Sequence, residues 1–103
     1  MPQAEVSRND DAQRYEVRVD EKLAGFAAYQ LTPDLIVFTH TEIYPGFEGQ
    51  GLGSDLAHAA LDDVRITGHR RVLPVCPFIM GWIQRHRDYA DLVYSAPPSN
   101  VQD

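Results

Sequence analysis

Residues 48–53 read Glu48-Gly49-Gln50-Gly51-Leu52-Gly53 and separate two different hydrophobic patterns. The alternation typical of β-strands stops at Pro45, and a helical spacing of apolar residues begins at Leu52. Glycine lets the backbone adopt positive φ angles and approach a ligand closely. A strand, a glycine turn and a helix in this order aim free backbone N–H groups at an anion. The stretch therefore predicts a cradle for a phosphorylated ligand at the start of a helix.

Two common phosphate-binding loops do not fit this stretch. Gly46 and Gly51 have the spacing of a P-loop, but Leu52 follows where that motif requires lysine. The dinucleotide fingerprint needs a third glycine where Ser54 stands, and it follows the first strand of a βαβ unit rather than a run of antiparallel strands. A plain turn and helix cap without a ligand stays open as an alternative.

The residues before the glycine turn predict a meander of four antiparallel strands. Arg14 to Val19 alternates polar and apolar residues, and Leu23 to Leu31 resumes the pattern after a short turn, so the two predict a hairpin. Leu35 to Tyr44 is apolar on both faces at its start, as expected of a central strand. A weaker first strand is predicted over Glu5 to Arg8.

The residues after the turn predict two helices and one more strand. The first helix ends at Gly68, the usual glycine just past a helix C-terminus. Arg71 to Val75 predicts a fifth strand, and Pro77 to Arg87 a second helix that packs Phe78, Trp82 and Ile83 into the core. Asp88 to Tyr94 predicts a short closing segment. The apolar stripe of the first helix is Leu52, Leu56, Ala59, Ala60 and Val64.

Length and charge narrow the class of protein. The chain has 103 residues, which indicates one domain over residues 1–94 and a polar tail over 95–103 that we expect to fray. Nine Lys and Arg against 15 Asp and Glu give a net charge of −6, which argues against a nucleic-acid partner.

Cysteine and histidine usage bears on location and metals. Cys76 is the single cysteine, so an intramolecular disulfide is excluded, and small secreted domains usually carry several cysteines. Neither a signal pattern nor a membrane-length apolar run is present, so we expect a cytoplasmic protein without a membrane partner. His58 and His69 have no metal-ligand spacing, and no metal site is predicted.

The order of four strands, glycine turn, helix, short strand and helix resembles the GNAT superfamily of N-acetyltransferases. The pyrophosphate motif of that superfamily, Gln/Arg-x-x-Gly-x-Gly/Ala, aligns with Glu48 to Gly53. More narrowly, His40-Thr41-Glu42, the glycine turn and Leu73-Pro74-Val75-Cys76-Pro77-Phe78 are similar to the small, single-domain YjdJ-type GNAT-like subfamily. The resemblance covers roughly Arg14 to Val93 and implies an α/β (α+β) fold. It implies a mostly antiparallel sheet of about five strands, two main helices and few elements on the acceptor side.

The resemblance also implies a binding site for acetyl-coenzyme A. The end of the fourth strand, at Glu42, Ile43 and Tyr44, would pair with the pantetheine arm as an extra strand. In the family that strand splays from the fifth and opens a slot for the thioester. The amides implied to bind the pyrophosphate are those of Gly49, Gln50, Gly51, Leu52, Gly53 and Ser54.

The chain departs from the superfamily pattern in two places. Glu48 stands where the superfamily usually has Gln or Arg, and an acid beside a pyrophosphate is unfavourable unless it points away. Larger GNAT enzymes place helices between the first two strands to wall the acceptor site, whereas here only Asn9 to Gln13 is available. The acceptor side is therefore expected to be open, or to be completed by a partner such as a second subunit in a homodimer.

Three residues are candidates for catalysis. His40 and Glu42 lie two apart on one strand, so they project from the same face and can accept a proton through water. Cys76 precedes a proline-started helix, where a thiolate nucleophile is favoured, and the resembling subfamily has a cysteine considered as an acetyl carrier at this place. The alternative for His40 is a hydrogen-bonded strand histidine, and for Glu42 a surface carboxylate. The alternative for Cys76 is a small buried thiol without a catalytic role. His86 and Tyr89 are weaker candidates for a general acid, and structural roles suit them better.

The resemblance implies an acetyl-CoA-dependent N-acetyltransferase acting on a small-molecule or peptide amine. An acidic surface would attract cationic acceptors, although −6 is too modest to select among them. Two alternatives stay open. One is a non-catalytic CoA-binding regulatory module, and the other is a domain that binds a different phosphate ligand at the same helix terminus.

Overall fold

One mixed sheet of five strands organises the chain, and the computed structural model describes residues 4–95 of it. The strands lie in chain order across the sheet, with the first four antiparallel and the last pair parallel. The predicted α/β class, with about five mostly antiparallel strands and two main helices, is confirmed. The elements are β1 (Ala4–Asn9), β2 (Arg14–Val19), β3 (Lys22–Leu31), β4 (Leu35–Ile43), α1 (Leu52–Thr67), β5 (Arg71–Pro74), α2 (Pro77–Arg85) and a closing 3-10 helix (Arg87–Leu92).

Helix α1 covers one face of the sheet, because its apolar stripe packs on the inward residues of β2 to β4. Leu56, Ala60 and Leu61 are fully buried at this contact. Ala59, predicted within the stripe, is only half-buried. The helix ends as predicted at Gly68, whose φ of 80° suits glycine and whose N–H donates to the carbonyl of Val64.

A β-bulge in β4 sets which side chains face the helices. Ala28 pairs with His40 while Tyr29 pairs with Phe38, so Thr39 is an extra residue in β4. Phe38 before the bulge lies in the core. After the bulge the alternation shifts by one, so Thr41 faces the helices while His40 and Glu42 face the opposite side. We call that opposite side of the sheet, carrying Glu16, Phe26, His40 and Glu42, the open face.

Strand β4 extends beyond the end of β5 on the side nearest the glycine turn. The parallel ladder joins Leu35–Phe38 to Arg71–Pro74, and the last link is the Cys76 N–H donating to the Phe38 carbonyl at 2.8 Å. Beyond it, no strand among residues 4–95 pairs with this edge of Thr39–Ile43. The two strands thus part where the resemblance implied a slot.

Some predicted boundaries were wrong by one or two residues. The second helix ends at Arg85 rather than Arg87, because His86 leaves the helical region with φ −129° and ψ 80°. The fourth strand ends at Ile43 and the fifth at Pro74, each one residue early. The predicted frayed tail, 95–103, lies outside the described residues except for Ser95.

Two further observations concern residues 4–95. Their helices include none that is both long and apolar enough to cross a membrane. Within the same range, His, Cys, Asp and Glu side chains do not gather in threes as a metal site would require.

Candidate active site

Among residues 4–95, the first amides of α1, just after the glycine turn, have no hydrogen-bond partner. Gly49 and Gly51 have φ angles of 81° and 76°, a left-handed conformation that costs most other residues free energy. Gly51 is the N-cap residue and has no side chain to cap the helix. The helical ladder starts with the Asp55 N–H donating to the Gly51 carbonyl at 3.1 Å. The N–H groups of residues 52–54 therefore remain available to an anion.

Gly53 is needed for a different reason, namely contact with α2. A Cβ atom at residue 53 would lie 2.8 Å from Cζ of Phe78, closer than side chains approach each other. Phe78 is 38% exposed, so its prediction as a core residue was wrong, whereas Trp82 and Ile83 are buried as predicted. The Phe78 ring instead packs over the glycine turn, and Gly53 makes room for it.

A groove of about 430 Å³ lies between the glycine turn and α2. Its size falls within the range usual for small-molecule sites. The turn side contributes Glu48 and residues 51–54, and α2 contributes Phe78 and Trp82. Arg85 adds a positive charge to the lining and Glu48 a negative one. The groove therefore combines free helix amides, aromatic rings and a cation, which suits a phosphorylated ligand with a long organic arm.

A larger cavity of about 750 Å³ lies between β1 and the outer side of α1. Its lining includes the carboxylates of Asp55 and Asp62. Negative charges in that position disfavour a phosphate. The smaller groove therefore fits the predicted ligand better than the larger cavity does.

Hydrogen bonds and stacking hold the α2 wall of the groove in place. Trp82 Nε1 donates to Ser54 Oγ at 2.8 Å, which ties α2 to the first turn of α1. The His86 ring stacks on Trp82 with centroids 3.8 Å apart. Its Nδ1 donates to the Trp82 carbonyl at 2.8 Å, since a carbonyl can only accept, so Nε2 carries the lone pair in the neutral ring. His86 thus lies in the groove wall.

Tyr89 lies outside the groove lining and has a structural contact. Its hydroxyl donates to Asp62 Oδ1 at 2.6 Å, and the ring is buried against Trp82. The hydrogen bond to Asp62, with burial, raises the pKa of Tyr89 to about 12. A phenol held in this way is a poor general acid near neutral pH, in keeping with the structural alternative.

The predicted catalytic residues divide between two sides of β4. His40 Nε2 lies 3.2 Å from Glu42 Oε1, and both side chains are solvent-accessible on the open face, at 60% and 48%. Cys76 is buried on the helix side, with Sγ 3.3 Å from the Thr41 hydroxyl oxygen. The structure thus brings His40 and Glu42 together and separates them from Cys76 by the thickness of one strand. Their catalytic roles stay predictions.

The contact between Thr41 and Cys76 lies outside the groove lining, two residues along the chain from two of its lining residues. Ile43 lies two residues beyond Thr41 on the same side of β4, and Phe78 lies two residues beyond Cys76, and both line the groove. Sequence reasoning missed Thr41, because its partner is 35 residues away.

A strand, a glycine turn and a helix that leave backbone amides free define a class of α/β proteins built to bind an anion at the helix start. Residues 14–92 match the family model described as GCN5-related N-acetyl-transferase. The match covers most of the sequence, and the chain belongs to this family. The narrower YjdJ-type subfamily stays a prediction.

Solved structures show the same fold. A GCN5-like protein from Staphylococcus aureus superposes with a TM-score of 0.66 at 16% identity, covering 93% of both chains. A ribosomal-protein-alanine N-acetyltransferase from Brucella melitensis biovar Abortus superposes with a TM-score of 0.53 at 18% identity, covering 87% of this chain and 67% of its own. No curated protein sequence matches the chain. The GNAT-like fold is thereby confirmed.

Proposed function

We propose that this protein is an acetyl-CoA-dependent N-acetyltransferase that acts on a small-molecule or peptide amine. The observation that carries the proposal is the uncapped start of α1, whose amides face a groove that is also lined by Ile43 at the end of β4. Membership of the acetyltransferase family supports the same function.

The proposed donor site uses backbone more than side chains. Gly49 and Gly51 shape the turn, and the amides from Gln50 to Ser54 bind the pyrophosphate of coenzyme A. The edge of β4 over Thr39–Ile43, with which no strand among residues 4–95 pairs, offers N–H and C=O groups to the two amides of the pantetheine arm. Tyr44, predicted to join this pairing, already donates its N–H to the Ala24 carbonyl at 2.8 Å and accepts from the Phe47 N–H at 3.1 Å. Arg85 supplies a positive charge to the phosphates and offsets Glu48 across the groove.

The proposed reaction requires one proton to be removed from the acceptor. The amine nitrogen attacks the thioester carbonyl carbon and forms a carbon–nitrogen bond, the carbon–sulfur bond breaks with CoA leaving as the thiolate, and the amine gives up a proton. His40 and Glu42 accept that proton through water on the open face. In a second route the Cys76 thiol gives up its proton, its sulfur attacks the thioester carbonyl carbon, and CoA leaves as a thiolate that takes up a proton. The amine then attacks the acetyl-cysteine and releases the Cys76 thiolate, which regains a proton from the amine. The Thr41 hydroxyl oxygen, 3.3 Å from the Cys76 sulfur, is placed to hydrogen-bond with it.

A CoA-binding regulatory module without catalysis is the second candidate. One observation favours it, since the connection from β1 to β2 is a turn of four residues and cannot wall an acceptor. In a homodimer the second subunit could supply the missing wall of the acceptor site, and the short β1–β2 turn would then no longer argue against catalysis. The single buried thiol is consistent with the proposed cytoplasmic location.

Turnover with amines decides between these candidates. The protein is incubated with acetyl-CoA and a panel of polyamines and lysine peptides, and acetylated products are measured by mass spectrometry. We expect product formation that Glu42→Gln reduces at least about tenfold, as usual for loss of a general base. Asp34→Asn, a neutralised exposed acid in the turn between β3 and β4, is the control and should keep full activity.

Two results would contradict the proposal that the protein is an N-acetyltransferase. Binding of acetyl-CoA without any product supports the regulatory module, and no binding at all overturns the donor site. Cys76→Ser separates the two routes, since loss of a covalently acetylated protein species together with activity indicates transfer through the thiol.

A further inference from the structure

A separate cavity of about 260 Å³ lies at the end of the sheet opposite the glycine turn, where α1 ends over β2, β3 and β4. Among residues 4–95, it shares no lining residue with the groove beside the glycine turn. The cavity is lined by Ile36 near the start of β4, and the rise from Ile36 to Glu42 along that strand is about 20 Å. A ligand in this cavity therefore reaches neither the proposed acetyl donor nor the proposed proton acceptor.

The floor of this cavity is apolar and belongs to the core. Tyr15, Tyr29, Ile36 and Val64 line it, and each of them is only 3% to 4% exposed. Leu31 adds an apolar side chain to the lining that is 43% exposed. The volume lies just below the range usual for drug-sized ligands. The cavity therefore suits a smaller molecule with a hydrocarbon part that rests on the floor and covers Leu31.

One side of the cavity carries an excess of negative charge. Arg8 Nε lies 2.7 Å from Asp10 Oδ1, and Arg8 Nη1 donates to Asp63 Oδ2 at 2.7 Å. Two carboxylates against one guanidinium leave one negative charge over, and the exposed Asp11 in the same turn adds to it. The Asp10 side chain lines the cavity and is 72% exposed, so it can accept a further hydrogen bond. This side therefore favours an ammonium group.

Two buried tyrosines hold these carboxylates in place. The Tyr29 hydroxyl donates to Asp10 Oδ1 at 3.4 Å, and the Tyr15 hydroxyl donates to Asp63 Oδ2 at 2.8 Å. Burial, together with the neighbouring carboxylates, raises the pKa of both tyrosines. Both phenols therefore stay protonated at neutral pH and act as donors. The negative side of the cavity is thus anchored to the core of the sheet.

The opposite side of the cavity carries a guanidinium without an acidic partner. Arg70 is half-buried in the lining, and its Nε donates to the Thr32 carbonyl at 2.8 Å. Within residues 4–95, Arg70 forms no ion pair with an acid. Asp34, exposed in the same turn as Thr32, lies outside the lining, and solvent screens its charge. The His69 ring lines the cavity next to Arg70, so this side favours a carboxylate.

A ligand with a single charge fits only one of the two sides. A simple carboxylate that meets Arg70 leaves Asp10 without a partner and brings a second negative charge near it. A simple amine that meets Asp10 is in turn placed near the Arg70 guanidinium. A zwitterion presents both signs and keeps the whole site close to neutral, which is the complementary arrangement.

We propose that this cavity binds a small apolar amino acid, as a ligand separate from the acetyl donor and from the acetyl acceptor. The ammonium group of the amino acid meets Asp10, and its carboxylate meets Arg70. Its hydrocarbon part packs on Tyr29, Ile36 and Val64. The proposal goes beyond the proposed function and does not depend on acetyl transfer.

Two matched sets of small molecules test the proposal by calorimetric titration. L-leucine is compared with isocaproate, which lacks the ammonium group, and with isoamylamine, which lacks the carboxylate. Aminocaproate, whose two charges are further apart, is compared with caproate and hexylamine in the same way. We expect at least one zwitterion to bind with a Kd below about 1 mM. It should bind at least about fivefold more tightly than either of its singly charged analogues, because each analogue loses one charge-assisted contact.

Variants at the two ends locate the site. Arg70→Gln should weaken binding of the zwitterion at least about fivefold, since the half-buried guanidinium is lost. Asp10→Asn should weaken it by about two- to fivefold, because this carboxylate is largely exposed. The matched controls are Arg87→Gln and Asp20→Asn, exposed residues outside the cavity, and both should bind like the wild type. Thermal unfolding of each variant checks that it is folded.

Several results would overturn this proposal. These are no binding of either zwitterion at millimolar concentration, equal binding of a singly charged analogue, or undiminished binding by folded Arg70→Gln. Amide chemical shifts that change at the glycine turn, rather than at Leu31, Thr67 and His69, would also place the ligand elsewhere and overturn it. Acetyl-CoA binding is measured on the same samples, and its absence would overturn the proposed function while leaving this inference intact.

Discussion

A charge placed at Gly51 should weaken binding of acetyl-CoA far more than it weakens the fold. Gly51 is the N-cap of α1, and a Cβ atom built there meets nothing within 4 Å. A longer side chain at this position therefore fits without a clash. Gly51→Glu and Gly51→Gln are nearly the same shape, so comparing them isolates the effect of the negative charge.

The expected magnitudes follow from the backbone and from Coulomb's law. The φ of 76° should cost either substitution about 1 kcal/mol in the free energy of unfolding, because both residues are strained there. A carboxylate about 6 Å from one phosphate charge is repelled by about 3 kcal/mol at an effective dielectric of ~20. A flexible side chain can turn partly away, so we expect at least a tenfold weaker Kd for Gly51→Glu than for Gly51→Gln.

Calorimetric titration with acetyl-CoA and urea denaturation of the same samples measure the two effects. The account requires matching stabilities and clearly different affinities for the two variants. Equal affinities would refute the assignment of the α1 amides as the phosphate site. A large difference in stability between the variants would refute the claim that residue 51 is open to solvent.

The remaining predictions concern the groove wall and the open face. Gly53→Ala should change the unfolding free energy by less than about 1 kcal/mol, because alanine favours the helix and the exposed Phe78 ring can move aside. Since the displaced ring moves into the groove, the variant should bind acetyl-CoA more weakly. Unchanged affinity would contradict the placement of acetyl-CoA in this groove. Trp82→Phe and Ser54→Ala each remove the 2.8 Å hydrogen bond, so a double-mutant cycle in urea should give a coupling of about 1 kcal/mol, and simple additivity would show that the bond contributes nothing. Burial alone would raise the pKa of Glu16, but hydrogen bonds from its two arginine partners and an asparagine outweigh it and lower the pKa. Its stabilising effect is therefore present above the ordinary carboxyl pKa of about 4.3 and is lost as pH falls through the lower folded value, so the stability advantage of the wild type over Glu16→Gln should shrink below pH ~4.5; an advantage independent of pH down to ~2 would contradict this.

Local patterns predicted the elements well because they depend on neighbouring residues. Alternation over Arg14–Val19 gave the bounds of β2, and Gly68 marked the end of α1 through its left-handed conformation. The glycine turn was predicted from the need for positive φ, which the structure shows at Gly49 and Gly51. Each of these features is determined within a few residues of the chain.

Features that depend on distant contacts could not be predicted in the same way. The bulge at Thr39 arises from pairing with β3, so the sequence placed His40 and Glu42 on one face without telling which face. Periodicity placed Phe78 in the core stripe of α2. In the structure its ring instead lies at the groove, in the space that is open because residue 53 on α1 has no side chain. Thr41 meets Cys76 across the slot, a contact that no local pattern encodes.

The burial of a charged group was likewise beyond local patterns. Alternation placed Glu16 on the polar side of β2, where exposure is the rule. The side chains of Asn9, Arg14 and Arg18 instead enclose its carboxylate and leave it 3% exposed. Such a cluster requires β1 and β2 to be paired in register, which only the folded sheet supplies.

Titration calorimetry with acetyl-CoA, run beside its nucleotide portion adenosine 3′,5′-bisphosphate, tests the central claim most directly. The account predicts micromolar binding of acetyl-CoA and much weaker binding of the nucleotide, because the pyrophosphate meets the α1 amides and the pantetheine arm pairs with the free edge of β4. No binding of acetyl-CoA at millimolar concentration, or equal affinity for the two ligands, would contradict it.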